Sequence, residues 1–201
     1  MAKDWTGNKA TAFSTLGASN HSSYERQEHD YYATDPVAID MLAQTGFFSG
    51  VKTVWEPACG GGHLSKRMID LGLKVISTDL YDQGFGERGI DFLSSTTSIA
   101  DSIVTNPPYK YALEFCKKCI ELRVPKFAMF LKLTFLEGQK RQPFFTDYPP
   151  RYVAVCVNRV QCALNGDADM FAKSSAACYA WFIWKKGYTG KPEILWIRKD
   201  N

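Results

Sequence analysis

The chain has 201 residues, 45% of them hydrophobic, and a formal net charge of +3. That length suits one α/β domain with a full core and is short for two. No apolar run approaches bilayer length and no apolar block follows Lys3, so neither a membrane span nor a secretory signal is expected, and the mild positive balance permits a polyanionic partner without arguing for one.

Residues 1–28 are rich in Ser, Thr, Asn, Gly and Ala without apolar periodicity, which predicts a flexible N-terminal arm. Order is expected from His29 onward, with residues 29–201 forming a single catalytic domain. Asp35 reads as an N-cap and Pro36 as the first helical residue, with Val37, Ile39, Met41 and Leu42 as the apolar face and Gly46 as the stop. Val51 to Trp55 reads as a strand, followed by Glu56-Pro57-Ala58-Cys59-Gly60-Gly61-Gly62 and a helix from about Leu64 to Leu71. A second strand covers Lys74 to Ser77 and ends at Thr78-Asp79. A glycine-rich loop (Gly84, Gly86, Gly89) leads to a short third strand ending at Ile90-Asp91-Phe92.

The fourth strand, Ser102 to Thr105, runs straight into Asn106-Pro107-Pro108-Tyr109. Two successive prolines fix two φ angles and push Asn106 out of the helical region, so an amide and a ring are held stiffly past a strand end. A helix is expected over Ala112 to Leu122 and a fifth strand over Lys126 to Leu133. A loop from Phe135 to Pro150 then precedes strands at Val153 to Val157 and Cys178 to Trp184, which flank a flexible Asn165 to Asp169 segment. Ile194 to Ile197 reads as a last edge strand. Alternating β and α elements with near-continuous apolar strands predict a Rossmann-like, mostly parallel, doubly wound sheet with an antiparallel C-terminal hairpin. The six cysteines, Cys59, Cys116, Cys119, Cys156, Cys162 and Cys178, lie mostly in apolar runs. They read as reduced thiols of a cytoplasmic protein. Cys116 and Cys119 have metal-ligand spacing, but they share a helix's apolar face and lack a second pair, so they are assigned to the core and no metal is expected.

In an open α/β sheet, ligands bind past the C-terminal strand ends. The glycine loop after the first sheet strand brings small residues and helix N-terminal amides together, which suits a nucleoside-bearing cofactor. Asp79, at the next strand end, can accept both hydroxyls of a ribose, because a carboxylate is acceptor-only. Asp91 and Phe92 offer an acceptor and an aromatic face to an adenine ring. The Asn106 to Tyr109 corner suits a planar ring carrying an amine.

In this order, Glu56-Pro57-Ala58-Cys59-Gly60-Gly61-Gly62, Asp79, Ile90-Asp91-Phe92-Leu93 and Asn106-Pro107-Pro108-Tyr109 resemble the motifs of S-adenosylmethionine-dependent methyltransferases that act on adenine N6. Tyr31-Tyr32-Ala33-Thr34-Asp35-Pro36 is similar to the cofactor motif that comes first in their γ-type order. Over about residues 29–200 the chain looks like the small DNA adenine methyltransferases of phages and prophages. The resemblance implies cofactor contacts from Tyr32, Thr34, Glu56, Pro57, Ala58 and Gly60 around the methionine end. It implies Asp79 with Leu80 at the ribose, Asp91 with Phe92 at the adenine, and Asn106 between cofactor and acceptor. The Asn106 side-chain oxygen and the Pro107 carbonyl would accept the amine's two N–H bonds, Pro108 would stiffen the turn, and Tyr109 would stack on the base.

The chemistry explains such a set. An adenine amine is conjugated into its ring and is a poor nucleophile, so off-plane acceptors that favour a pyramidal nitrogen help, and positioning with preorganised dipoles supplies most of the catalysis. A duplex adenine cannot reach this corner, so the base must be flipped or single-stranded.

No separate target-recognition domain, of the kind the family's larger members carry, is expected within residues 29–201. DNA specificity is therefore expected to be low or carried by the loops 135–150 and 158–175. Lys140, Arg141, Arg151, Arg159 and Lys173 are candidate phosphate contacts, and Phe135, Phe144, Phe145 and Phe171 are candidate second stacking rings. A monomer or weak dimer is expected. The same corner also suits an RNA adenine or a protein glutamine, as in release-factor methyltransferases. A silent cofactor- or nucleic-acid-binding module and a nicotinamide dehydrogenase are the remaining readings.

Overall fold

The computed structural model describes residues 32–164 and 177–199. The predicted N-terminal arm, the Asn165 to Asp169 segment, Phe171 and Lys173 lie outside the described residues.

Among the described residues ten strands and four α-helices are formed: β1 Tyr32–Thr34, α1 Val37–Ala43, β2 Thr53–Glu56, α2 His63–Asp70, β3 Lys74–Asp79, β4 Glu87–Arg88, β5 Ser102–Thr105, α3 Ala112–Glu121, β6 Lys126–Lys132, α4 Gln142–Asp147, β7 Tyr152–Cys156, β8 Cys162–Leu164, β9 Tyr179–Lys185 and β10 Glu193–Ile197. Short 3-10 turns follow β4, β5 and β6 at Phe92–Ser94, Tyr109–Tyr111 and Leu133–Leu136. Helix α1 begins at Val37, one residue later than expected, with Pro36 rather than Asp35 at the N-cap; the Asp35 carboxylate still accepts from Val37 N at 2.9 Å.

The main sheet has eight strands in the order β10-β7-β9-β6-β5-β2-β3-β4. Within it β9 is the one reversed strand, pairing antiparallel with both β6 and β7, while the other pairings are parallel. The Rossmann-like mixed sheet is therefore present. The expected antiparallel pair is β7 with β9, but β9 inserts between β6 and β7, and β10 pairs with β7 to form the outer edge. A separate two-stranded ribbon joins β1 to β8, with Thr34 opposite Cys162.

Alternation along the strands divides the core into two layers. On one face Val54, Val104, Ala128, Phe130, Trp181 and Ile183 pack under α1 and α2, which contribute Ile39, Met41, Leu42, Leu64 and Met68. On the other, Trp55, Ile103, Phe127, Met129, Phe182 and Trp184 pack against Phe115, Cys116 and Cys119 of α3 and Phe144 of α4. Buried indoles keep their hydrogen bonds: Trp181 Nε1 donates to Ala38 O at 2.7 Å and Trp55 Nε1 to Thr78 Oγ1 at 2.9 Å. Among the described residues no helix is long and apolar enough to cross a membrane.

Three local expectations are corrected. The third strand is only Glu87–Arg88 and stops before Ile90, since Asp91 turns the chain by accepting from Leu93 N. The supposed loop 135–150 contains α4, with Pro143 in its first turn. Cys162–Leu164 is a strand rather than loop.

Candidate active site

Strands β2 and β5 are neighbours, yet the chain proceeds from β2 outward through β3 and β4 and only then returns to β5 and β6. The crevice at that reversal is where open α/β sheets receive ligands. Because these strands are parallel, Glu56, Asp79 and Asn106 all lie at one edge of the sheet.

On the β2–β3 side, the loop after Glu56 is shaped by glycines at positive φ: Gly60 at 51° and Gly62 at 79°. Gly62 has a second constraint, since a Cβ there would fall 2.3 Å from the Phe85 ring. Asp79 clamps the loop by accepting from Gly60 N at 2.8 Å through one carboxylate oxygen, and its other oxygen accepts from Tyr81 N at 2.9 Å. Each oxygen keeps a further lone pair for hydroxyls. Leu80 beside it is 47% exposed, and Pro57 and Gly60 are buried while Ala58 is half-buried.

Glu56 is 2% exposed. The Ser65 hydroxyl of α2 donates to its Oε2, and Ser65 Oγ lies 2.6 Å from Ser77 Oγ. Burial, with a smaller contribution from the Asp79 charge, pushes the Glu56 carboxyl up to about 8, against which the Ser65 hydrogen bonds work. Glu56 is thus a buried acid beside a glycine cradle, held mostly neutral at pH 7. Burial raises the neighbouring Cys59 thiol to about 12, which makes it an inert packing group.

Past β5 the Asn106 side-chain amide donates from Nδ2 to Thr34 Oγ1 at 2.8 Å, with Cys162 Sγ at 4.0 Å. Its Oδ1 is buried and accepts no hydrogen bond from any described residue. A buried acceptor left open costs about 1–3 kcal/mol, so its persistence needs an explanation. Pro107 is buried and Pro108 half-buried. Tyr109 is half-buried: its hydroxyl is 3.0 Å from that of Tyr179, and Lys132 Nζ sits 4.7 Å from its ring centroid. Burial holds the Tyr109 phenol well above its ordinary range, so it stays protonated.

Glu56, Ala58, Gly60, Asp79 and Asn106 are therefore brought to one crevice. Thr34 reaches it from the β1–β8 ribbon and is engaged with Asn106. Tyr32 lies in β1, opposite Leu164. Phe92 is a correction. At 2% exposure it packs edge-on against Trp55 at 5.1 Å and beside Phe115 at 4.8 Å, so its ring has no face to offer an adenine. Asp91 is exposed, but both of its oxygens are engaged locally, by Leu93 N at 2.9 Å and Ser94 Oγ at 2.5 Å.

Phe135 and Phe144 are also core residues rather than stacking rings, at 7% and 5% exposure, and half-buried Phe145 packs edge-on to Phe135 at 5.6 Å. Arg141 is committed to the carbonyls of Glu137 and Thr134. Arg151 pairs with Glu193 at the opposite end of the sheet, and Arg159 Nη1 contacts Cys178 Sγ at 2.9 Å. Lys140 is exposed.

Sequence reasoning missed Tyr179, Cys162, Lys132 and Phe85. Tyr179 and Lys132 are opposite each other across the β6–β9 pairing, and Cys162 is opposite Thr34. Those registers join segments far apart in the chain, so only the pairing reveals them.

No family model matches the chain. Two curated relatives match over 104 residues: the ubiquinone biosynthesis O-methyltransferases of Paraburkholderia phytofirmans, 29% identical, and Paraburkholderia xenovorans, 28% identical. Each match covers 49% of this chain and 44% of the relative, so the chain matches under half the length of these relatives. Among solved structures, a Listeria monocytogenes protein provisionally named as a class I S-adenosylmethionine-dependent methyltransferase aligns with TM-score 0.57 at 14% identity, over 96% of this chain and 72% of that one. A Pyrococcus horikoshii protein provisionally named as an RNA methyltransferase aligns with TM-score 0.58 at 14% identity, over 90% and 98%. The modification subunit of a provisionally assigned type I restriction enzyme from Vibrio vulnificus aligns with TM-score 0.56 at 11% identity, over 94% and 50%. The chain has the fold of class I S-adenosylmethionine-dependent methyltransferases.

Proposed function

We propose that the chain transfers a methyl group from S-adenosylmethionine to the N6 amine of an adenine in DNA, presented flipped or single-stranded. The observation that carries this reading is the buried Oδ1 of Asn106, which accepts no hydrogen bond from any described residue. It stands at the strand-end crevice beside Glu56 and Asp79, where an amine N–H would give it the hydrogen bond it lacks.

S-adenosylmethionine supplies an electrophilic sulfonium methyl group and a neutral thioether leaving group. The residues present fit it. The neutral, buried Glu56 gains a reason to ionise beside a cation, the Gly60 and Gly62 loop admits a close approach of backbone, and Asp79 retains acceptor capacity for ribose hydroxyls. Leu80 offers exposed apolar surface beside Asp79 for the adenine. That role passes to it from Phe92, which is core.

Asn106 binds the acceptor amine through Oδ1 and withdraws it from conjugation, with the Pro107 carbonyl as the second acceptor. Stiff prolines and buried partners hold these dipoles before the amine arrives, so little reorganisation is needed at reaction. Tyr109, kept protonated and braced by Tyr179, presents its ring as the stacking surface, offsetting about 1–3 kcal/mol of unstacking. Lys132 supports a polyanionic acceptor. Its ammonium lies over the Tyr109 ring and forms no ion pair among the described residues. The fold neighbour named as the modification subunit of a restriction enzyme is in keeping with DNA.

The test is tritiated S-adenosylmethionine with duplex DNA, single-stranded DNA, tRNA and a release factor, followed by nucleoside and amino-acid analysis. Label in DNA N6-methyladenine is the expected result. Label in RNA, label in a protein glutamine, or no transfer to any acceptor overturns the proposal.

A further inference from the structure

A side-chain amide has two ends of nearly equal shape and opposite character. Which end faces the acceptor decides whether a site takes hydrogen bonds or gives them. An amine needs acceptors, so Asn106 is useful only if its NH2 end is occupied elsewhere. The residue occupying it is Thr34, whose Oγ1 takes the Nδ2–H at 2.8 Å.

A threonine hydroxyl could equally donate its single proton to Oδ1 and invert the amide. A second acceptor beside Thr34 favours the observed sense. Cys162 lies opposite Thr34 on the ribbon, with its sulfur 4.0 Å from the same Nδ2. The NH2 end of the amide therefore faces two acceptors, the Thr34 hydroxyl oxygen and the softer Cys162 sulfur, while Oδ1 is left open among the described residues.

We propose that Thr34 and Cys162 are positioning residues: by accepting from the Asn106 Nδ2 end at the hydroxyl oxygen and at the sulfur, they hold the amide with its oxygen toward the methyl acceptor. The inference rests on the amine-acceptor reading above. It removes Thr34 from the cofactor contacts that the sequence resemblance implies.

The test uses the full chain with Thr34→Val, Thr34→Ser, Cys162→Ala and Cys162→Ser. Cofactor Kd is measured by calorimetry, kcat with a labelled adenine oligonucleotide, and hydrogen exchange of the Asn106 side-chain NH2 by NMR. Thr34→Val keeps the shape but removes the acceptor, and is expected to lower kcat by about 10- to 100-fold, the size of one or two lost hydrogen bonds. Cofactor Kd should stay within about twofold, and Asn106 NH2 protection should fall about tenfold. Thr34→Ser and Cys162→Ser should restore both readouts. Should Thr34→Val fail to fold, Cys162→Ala carries the same test, since it removes the sulfur beside Nδ2 and leaves the Thr34 hydroxyl in place. Loss of cofactor affinity in proportion to loss of transfer would overturn the proposal, as would unchanged kcat and NH2 protection. If wild-type protein transfers to no acceptor, the functional reading fails while the exchange measurement still decides the positioning. Lost protection in Thr34→Val then supports it, and retained protection refutes it.

Discussion

Glu56→Gln isolates the most heavily perturbed carboxyl of the cofactor crevice. The side chain is 2% exposed, accepts from Ser65, and is pushed from 4.5 up to about 8, by burial first and by the Asp79 charge last. For an acid raised on folding, the unfolded chain gives up its proton first. The stability the neutral group lends is fully present below pH 4.5 and is lost as pH rises through about 8. At about 1.4 kcal/mol per pH unit, the whole span is about 5 kcal/mol. Glutamine keeps an acceptor for the Ser65 hydroxyl and cannot ionise. Urea unfolding of both proteins from pH 5 to 8.5 should therefore show wild type losing about 4 kcal/mol relative to the variant between pH 5 and 8. A second arm measures proton release. If a cofactor cation lies beside Glu56, cofactor binding at pH 7 should release close to one proton from wild type and none from the variant, by calorimetry in buffers of different ionisation enthalpy. Parallel stability profiles for the two proteins would refute the reasoning, because a carboxyl that stays ionised in the folded state contributes no such slope.

Other substitutions separate the parts of the crevice. Asn106→Ala should lower transfer by at least about a thousandfold while cofactor Kd changes less than about threefold, since the open Oδ1 serves the acceptor; near-wild-type transfer would contradict that role. Phe92→Leu should cost about 1–1.5 kcal/mol in urea unfolding and leave cofactor Kd unchanged, as befits a core ring between Trp55 and Phe115; a large rise in Kd would return it to the cofactor site. Lys132→Gln should raise the KM for DNA and flatten the slope of log K against log salt by about 1, measured by anisotropy between 50 and 200 mM salt. Gly62→Ala should cost about 2 kcal/mol or more, because it combines a positive φ with a Cβ driven into Phe85, and thermal unfolding would reveal it.

The cofactor half of the crevice was largely legible in the sequence because its logic is local. Glu56, the glycines and Asp79 fall within one strand-loop-helix-strand unit, and glycine types alone report the positive φ values at Gly60 and Gly62. The Asn106 corner was legible for the same reason, since two prolines announce a stiff turn. Phe92 failed because the third strand was read four residues too long. The Asp91 turn is a side-chain hydrogen bond that rotates the ring back onto Trp55. Tyr179 and Cys162 could not be found, because their place at the site depends on β9 inserting between β6 and β7 and on a ribbon joining β1 to β8. No nearby residue carries that information.

This division has a consequence for how the two halves act. The cofactor side is built on consecutive parallel strands of the main sheet, and burial keeps its acid, Glu56, from ionising readily. The acceptor side is assembled across long sequence separations: Asn106 to Thr34 spans 72 residues and Tyr109 to Tyr179 spans 70. It shares β5 with its turn and Lys132 of β6 with the main parallel unit, and the remainder comes from the ribbon and from the reversed β9. Loosening the ribbon should therefore release the Asn106 amide while the Gly60–Asp79 clamp stays intact. Binding of cofactor and competence to transfer are separable in this architecture, although residues 80–105 join the Asp79 strand end to the Asn106 turn.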